Sequence, residues 1–165
     1  MHELENAIRV YDSIYQTGND MIDAVLTEKS LYCSAHDIVL SAMVDGNGFS
    51  FLKPSEITAL FGNILDNAIE AVQNPHLHPA NRAIELRAHV INGYSIIEAS
   101  NFYAGEVQLS KDTGLPVSQK TNQRFHGFGM KSIAAVTHDY EGNVHVEADN
   151  ETKVFEIRVV IPIPR

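Results

Sequence analysis

The stretch from Pro54 to Val72, PSEITALFGNILDNAIEAV, decides the fold predicted for this chain. Its apolar residues recur at steps of three and four, which is the spacing of a helix with one buried face. They are Ile57, Leu60, Phe61, Ile64, Leu65, Ala68, Ile69 and Val72. Pro54 suits a first helical position, where its missing N–H is not needed, and Asn74-Pro75 ends the helix. The pattern predicts one long amphipathic helix over 54–72.

The opposite face of this helix has an unusual composition. Asn63, Asp66, Asn67 and Glu70 follow at i, i+3, i+4 and i+7, so they line one side. Asn and Asp are poor helix formers because their side chains compete for backbone hydrogen bonds, and Gly62 costs about 1 kcal/mol relative to Ala. A solvated face is the simpler interpretation, but it would normally consist of Glu, Lys, Gln or Arg. We therefore treat this row as a candidate ligand site.

Length and charge limit the classes of function. A chain of 165 residues favours one domain with a substantial core. A net charge of −9 argues against nucleic acid or an anionic membrane as partner, although a bound divalent cation would still permit a phosphate ligand. The single cysteine, Cys33, excludes an internal disulfide and fits a reducing compartment. Without an apolar run of membrane-spanning length or a signal peptide, we expect a cytoplasmic domain.

The remaining elements are predicted from periodicity and turn residues. Residues 3–15 have the pattern of a short amphipathic helix, either the end of a longer helix or an N-terminal arm. The predicted order continues with a helix over 20–31, a strand over 36–44, the helix over 54–72, strands over 83–91 and 94–99, a helix over 130–138, and strands over 143–148 and 153–161. Asn92-Gly93 is a strong hairpin signal. The fold class predicted is α/β, a two-layer sandwich of one mixed sheet with helices on one face.

A long aperiodic segment separates the hairpin from the last helix. Residues 102–126 form a predicted loop, and loops of this length are usually functional or mobile. Gly127 and Gly129 lie just before the predicted helix start, where free N–H groups can hold a phosphate. Four of the 12 basic residues are in or beside this loop, namely Lys111, Lys120, Arg124 and Lys131. A solvated loop is the alternative interpretation.

These two regions together suggest a nucleotide site. Side-chain oxygens along a helix can hold Mg²⁺, which keeps several waters and bridges phosphates. A glycine-rich helix start can hold the same phosphates from the other side. Neither the P-loop nor the Rossmann pattern is present, so the site would be of a different type.

Two sequence motifs match a known superfamily. NILDNAIEA over 63–71 resembles the N box of the GHKL ATPases, and HGFGMKSI over 126–133 resembles their second glycine box. Together with Thr17-Gly18-Asn19, these forms are most similar to Agr-type and citrate-type sensor histidine kinases. The resemblance spans about 17–162. It implies that 17–165 is an ATP-binding catalytic domain with the Bergerat fold and that 1–16 is a remnant of the dimerisation and phosphoacceptor hairpin.

The resemblance also implies roles for individual residues, with ATP and Mg²⁺ as cofactors. Asn67 would coordinate Mg²⁺. Asn63 would assist it, at the position where gyrase-like ATPases carry a catalytic Glu, and the absence of that Glu favours phosphotransfer over hydrolysis. Asn63 and Asn67 are therefore the candidate catalytic residues. The other candidate cofactor-binding residues are Asn101, Lys120, His126, Gly127, Gly129 and Met130. Gly127 and Gly129 would frame the triphosphate, and Lys120 would reach it from the lid between the boxes.

The chain departs from the superfamily pattern at the base-binding end. The first glycine box, Asp-x-Gly-x-Gly, normally supplies an Asp for the adenine amino group, whereas residues 98–105 read EASNFYAG. Asn101 is the best substitute because its side-chain oxygen can accept from that amine. Glu70 lies at a position that is often basic in other histidine kinases. Its negative charge would weaken the attraction of the site for phosphate.

The expected function is that of the catalytic domain of a two-component sensor histidine kinase. Its partners would be its own phosphoacceptor hairpin and a cognate response regulator. The full-length protein would be a membrane-anchored homodimer, and this fragment a monomer. The first alternative is a degenerate GHKL domain of the phosphotransferase type, with weak or no ATP binding and a scaffolding role. An anti-sigma-factor type Ser/Thr kinase is the second alternative, and a plain interaction domain is the third.

Overall fold

The core of the molecule is built on a five-stranded sheet with strand order β1-β2-β3-β5-β4. The computed structural model describes residues 15–117 and 123–165, and over 123–128 only the course of the backbone. The strands are β1 (Val39–Val44), β2 (Ala83–Ile91), β3 (Tyr94–Phe102), β4 (Asn143–Asp149) and β5 (Val154–Pro162). β1 is parallel to β2, and the other three pairs are antiparallel. The sheet is therefore mixed, as predicted.

Helices account for the second layer. They are α1 (Asp20–Ala35), α2 (Pro54–Ile57), α3 (Asn63–Val72) and α4 (Gln123–Asp139), with a π-helical turn over Thr58–Gly62 and 3₁₀ turns at Gly46–Phe49 and Pro79–Asn81. Alternate residues of the strands, such as Ile84 and Leu86, are buried with the apolar faces of these helices, whereas Glu85 and Arg87 are exposed. This alternation confirms a two-layer α/β sandwich.

The predicted helix over 54–72 forms, but it is not a regular α-helix throughout. Its middle turn, Thr58–Gly62, is π-helical and joins α2 directly to α3. Leu60 and Phe61 in this turn are both fully buried, and the Phe61 ring packs edge-on against Phe49 at 5.4 Å. Such turns occur mostly as single turns inside α-helices and are frequent at functional sites. The apolar spacing did not reveal this turn, since the buried residues before, within and after it keep steps of three and four.

The first described helix, α1, begins as predicted and ends later. The side chain of Asn19 accepts hydrogen bonds from the N–H groups of Met21 and Ile22, both at 3.1 Å, and so caps the helix. The helix continues to Ala35 and buries Cys33. It ends before Asp37, whose φ of 56° is incompatible with an α-helix. The predicted helix over 3–15 and the proposed hairpin remnant fall almost entirely on residues 1–14, which lie outside the described chain.

The last helix, α4, begins at Gln123 and not near Met130, so the predicted start was wrong. Gly127 and Gly129 consequently lie inside the helix. Each glycine costs a helix only about 1 kcal/mol relative to Ala, and buried Met130 and Ile133 anchor the turns that follow. The hairpin prediction at Asn92-Gly93 is confirmed, since both residues have positive φ, 51° and 83°. Within the described ranges, no helix is long and apolar enough to cross a membrane.

Candidate functional site

A cavity of about 250 Å³ lies where α3, the end of β3 and α4 meet. Three of the residues predicted from sequence line it: Asn67 from α3, Asn101 from β3 and Met130 from α4. The tertiary fold therefore brings together the helix, strand and glycine-box parts of the predicted site. Lysine and arginine are absent from the described lining.

The first asparagine of α3 is oriented by the π-helical turn. In an α-helix, the carbonyl of Ala59 would accept the backbone N–H of Asn63. Here that N–H donates to the Leu60 carbonyl, and the side-chain Nδ2 of Asn63 donates to the Ala59 carbonyl at 2.6 Å. The Nδ2 atom of Asn63 is thus engaged by its own helix, so its Oδ1 is the atom that remains to act as a ligand.

The second asparagine of α3 is oriented by α4. Nδ2 of Asn67 donates to Sδ of Met130 at 3.3 Å. A Cβ atom built on Gly129 would lie 3.2 Å from Oδ1 of Asn67 and 3.4 Å from Oδ1 of Asn63. The two side-chain oxygens therefore converge on the same glycine, and only glycine leaves that space open.

The donor set fits a hard cation that retains most of its water. Two neutral amide oxygens are suitable ligands for Mg²⁺, which is usually bound by few protein groups together with substrate phosphates. Among the described residues, no group of three His, Cys, Asp or Glu side chains could hold a metal ion. A cation here would be coordinated by Asn63, Asn67, water molecules and the phosphates of a bound ligand.

The two acidic residues of the predicted row have different surroundings. Asp66 pairs with Lys29 of α1, with 2.7 Å between Oδ1 and Nζ, and the Lys29 side chain is only 16% exposed. Burial alone would lower the pKa of Lys29, but the hydrogen bond and charge of Asp66 outweigh it and raise that pKa above 10.5. Asp66 therefore ties α3 to α1. Glu70, by contrast, lines the cavity.

Asn101, at the end of β3, lines the same cavity as Asn67. Its side chain is almost fully buried, and Nδ2 donates to the Phe102 carbonyl at 2.9 Å. Oδ1 is then the atom that can serve as an acceptor towards a ligand. Asn74 also lines the cavity and was missed, because sequence reasoning used it only to end the helix. Asn74 lies just beyond the end of α3 at Val72, so helix periodicity gave no signal for it.

The loop after β3 is attached to the β4–β5 turn by Asn150. Its Oδ1 accepts from the hydroxyl of Tyr103 at 2.6 Å and from the N–H of Val107 at 3.1 Å, and its Nδ2 donates to the Val107 carbonyl at 3.3 Å. Lys153 adds a hydrogen bond from Nζ to the Gly105 carbonyl at 2.8 Å. Tyr103 and Val107 both line the cavity, so this clamp shapes its wall. No local sequence signal identifies Asn150, which lies 43 residues from Val107.

Part of the predicted site lies outside the described residues. Lys120 and the side chain of His126 are among these, so their contacts with phosphate stay predictions. Gly127 and Gly129 are inside α4, where N–H groups normally bond to the preceding turn. Their predicted role in framing a triphosphate also stays a prediction.

The comparisons with known proteins agree with this architecture. Residues 52–162 match the family model described as the GHKL domain, and the chain therefore belongs to the GHKL domain family. The fold is that of histidine kinase catalytic domains. A nucleotide-free catalytic domain of the histidine kinase ThkA is 15% identical with a TM-score of 0.63, and the match covers 88% of this chain and 94% of that one.

A second solved structure extends the similarity over nearly the whole chain. The histidine kinase AdeS of Acinetobacter baumannii is 12% identical with a TM-score of 0.54, and the match covers 99% of this chain and 80% of that one. No curated protein matches this sequence.

Proposed function

We propose that this domain binds ATP with Mg²⁺ and transfers the γ-phosphate to a histidine on a dimerisation helix outside this chain. The observation that carries the proposal is the convergence of the side-chain oxygens of Asn63 and Asn67 on Gly129. Asn101, which lines the same cavity as Asn67, supplies an acceptor for the adenine amino group. The site thus has one part suited to each end of Mg-ATP.

The residues favour phosphotransfer over hydrolysis. In the transfer, the imidazole nitrogen forms a bond to the γ-phosphorus while the bond to the β,γ-bridging oxygen breaks and ADP leaves. Mg²⁺, when bound, neutralises charge on the phosphate oxygens. Asn63 cannot take a proton from water, because an amide is not a general base. Catalysis would then rest on holding the phosphate in position for the incoming histidine.

The proposed role requires partners beyond this chain. We propose that the acceptor is the protein's own phosphoacceptor hairpin, in a membrane-anchored homodimer with this domain on its cytoplasmic side, and that a response regulator takes the phosphoryl group onward. Lys120 and His126 would assist from the lid.

Calorimetric titration with a non-hydrolysable ATP analogue, with and without Mg²⁺, tests the binding step. We expect the analogue to bind, and we expect Mg²⁺ to increase its affinity. Guanine nucleotides should not compete with it. If even millimolar analogue fails to bind in the presence of Mg²⁺, the proposal is wrong.

A second candidate is a degenerate GHKL domain with a scaffolding role. It is favoured by Asn101 in place of an acidic residue and by the negative charge of Glu70 in the cavity. A phosphotransfer assay with the separate helical hairpin and radiolabelled ATP distinguishes the two. Phosphohistidine formation supports the kinase, whereas folded protein that neither binds nor transfers supports the scaffold.

A further inference from the structure

Met130 makes an unusual contact for a buried methionine. It is 8% exposed, and its Sδ atom accepts the hydrogen bond from Nδ2 of Asn67 at 3.3 Å. A thioether is a weak acceptor, and methionines mostly serve as adaptable apolar filling. In this position the sulfur is the acceptor that engages the NH₂ group of Asn67.

We propose that Met130 is a positioning residue that holds the Asn67 amide with its oxygen towards Gly129 and Asn63. The proposal rests on the proposed function, since it concerns the orientation of a ligand for the cation that accompanies the nucleotide. In this proposal Met130 acts through Asn67 and does not contact the metal itself.

The physical reason is that an amide side chain can turn over. The last torsion of Asn is broad and roughly two-fold, so the oxygen and the NH₂ group can exchange places. With NH₂ turned towards the cation position, Asn67 would present donors and no acceptor. An acceptor that binds the NH₂ group selects the orientation in which the oxygen faces the cation.

The two asparagines obtain this acceptor from different places. Asn63 uses the carbonyl of Ala59 on its own helix, whereas Asn67 depends on a side chain from α4. The orientation of Asn67 therefore requires α4 to be packed against α3, and that of Asn63 does not. Through Met130, the helix that carries the second glycine box completes the ligand set of the first motif.

Met130→Leu tests this role, because it conserves apolar volume and removes the acceptor. Met130→Gln is the rescue variant, since its side-chain oxygen restores an acceptor on a chain of similar length. Met21→Leu is the matched control: Met21 on α1 is half-buried and packs against the core away from the cavity. Thermal melting establishes that each variant folds. If Met130→Leu does not fold, norleucine incorporation replaces sulfur by methylene without a change of shape.

Two measurements are made on the full chain. The first is the NMR signal pair of the Asn67 side-chain NH₂, recorded without metal or nucleotide. The second is the ratio of the affinities for an ATP analogue with and without Mg²⁺. In Met130→Leu we expect the signals to shift and the ratio to fall about threefold to tenfold, the range for one modest hydrogen bond. Met130→Gln should restore both, and Met21→Leu should change neither.

Each other outcome overturns the inference. NH₂ signals that do not move show that the sulfur does not engage Asn67, whatever the protein binds. If the NH₂ signals move but the ratio of affinities with and without Mg²⁺ stays constant, Met130 has no positioning role. The proposed function then stands, provided that the wild type shows Mg²⁺-dependent binding. If the wild type shows none, the inference and the proposed function fail together.

Discussion

Gly129 lies so close to Asn67 that a methyl group at position 129 would be 3.2 Å from the side-chain oxygen of Asn67. That distance is tighter than most Cβ contacts, and Asn63 lies almost as near, at 3.4 Å. The contact joins α4 to the polar face of α3, although the two residues are 62 positions apart in sequence. It explains why glycine occupies a position inside a helix, where it is otherwise unfavourable.

Gly129→Ala should weaken Mg-dependent nucleotide binding without destabilising the fold. The added methyl displaces the oxygens of Asn63 and Asn67, while alanine favours the helix by about 1 kcal/mol. Calorimetric titration and thermal melting measure the two effects. Gly62→Ala is the matched control, because the nearest heavy atom to its added Cβ is 4.0 Å away. Equal binding by both variants would mean that the space at Gly129 has no part in the site.

Asn67→Ala should abolish the Mg-dependent part of nucleotide binding and leave stability nearly unchanged. It removes a converging oxygen and, among the described residues, one weak hydrogen bond, the one to Met130. Calorimetry with and without Mg²⁺, together with urea unfolding, checks this. Asn143→Ala, at the exposed start of β4, is the control. A loss of several kcal/mol of unfolding free energy would instead make Asn67 a structural residue.

Asp66→Asn should leave Mg-dependent binding intact, because Asp66 faces Lys29 and not the cavity. We expect a loss of about 0.5–1 kcal/mol of unfolding free energy, since the Asp66 side chain is 57% exposed and solvent screens the pair. The partner raises the pKa of Lys29, so the stabilisation is present below pH 10.5 and is lost as the pH rises above that value. Urea unfolding at neutral and alkaline pH measures it. A tenfold weaker Mg²⁺ dependence would place Asp66 in the cation site.

Tyr140→Phe should destabilise the junction between α4 and α2. The hydroxyl of Tyr140 donates to Oε2 of Glu56 at 2.6 Å, and this hydrogen bond is the main cause that raises the pKa of Tyr140 to about 12. Its stabilisation is complete below the ordinary pKa of 10.0 and is lost as the pH rises through about 12. We expect a loss of about 1 kcal/mol at neutral pH that shrinks in strong alkali.

Chemical unfolding of wild type and Tyr140→Phe across this pH range measures the difference, with exposed Tyr94→Phe as control. A difference that persists unchanged above the raised pKa would show that the hydrogen bond to Glu56 is not its source.

Asn150→Ala should loosen the cavity wall. It removes the acceptor for Tyr103 and both hydrogen bonds to the Val107 backbone. Amide hydrogen exchange over 104–117 should become faster, while α3 keeps its protection. Thr152→Ala in the same turn is the control. Unchanged exchange in the loop would show that Asn150 does not restrain it.

Several features could be predicted because they depend on local sequence. The buried face over 54–72, the Asn92-Gly93 hairpin and the start of α1 at Asp20 each follow from residues within a few positions of one another. The start of α4 could not be predicted in this way. Gly127 and Gly129 suggested a helix beginning after them, but packing of Met130 and Ile133 in the core outweighs the small preference of glycine against helix.

The sequence by itself determined the order of elements, the α/β class and the choice of Asn63, Asn67 and Asn101 as candidates, because periodicity, turn residues and motifs are encoded locally. Only the tertiary structure decided which side-chain atom Asn67 presents to the site. Oδ1 of Asn67 is turned inward by a sulfur 63 residues away, and Asp66, one position earlier, is directed to Lys29 on another helix. Hydrogen bonds between distant residues depend on how helices pack on a sheet, and no spacing in the chain specifies that.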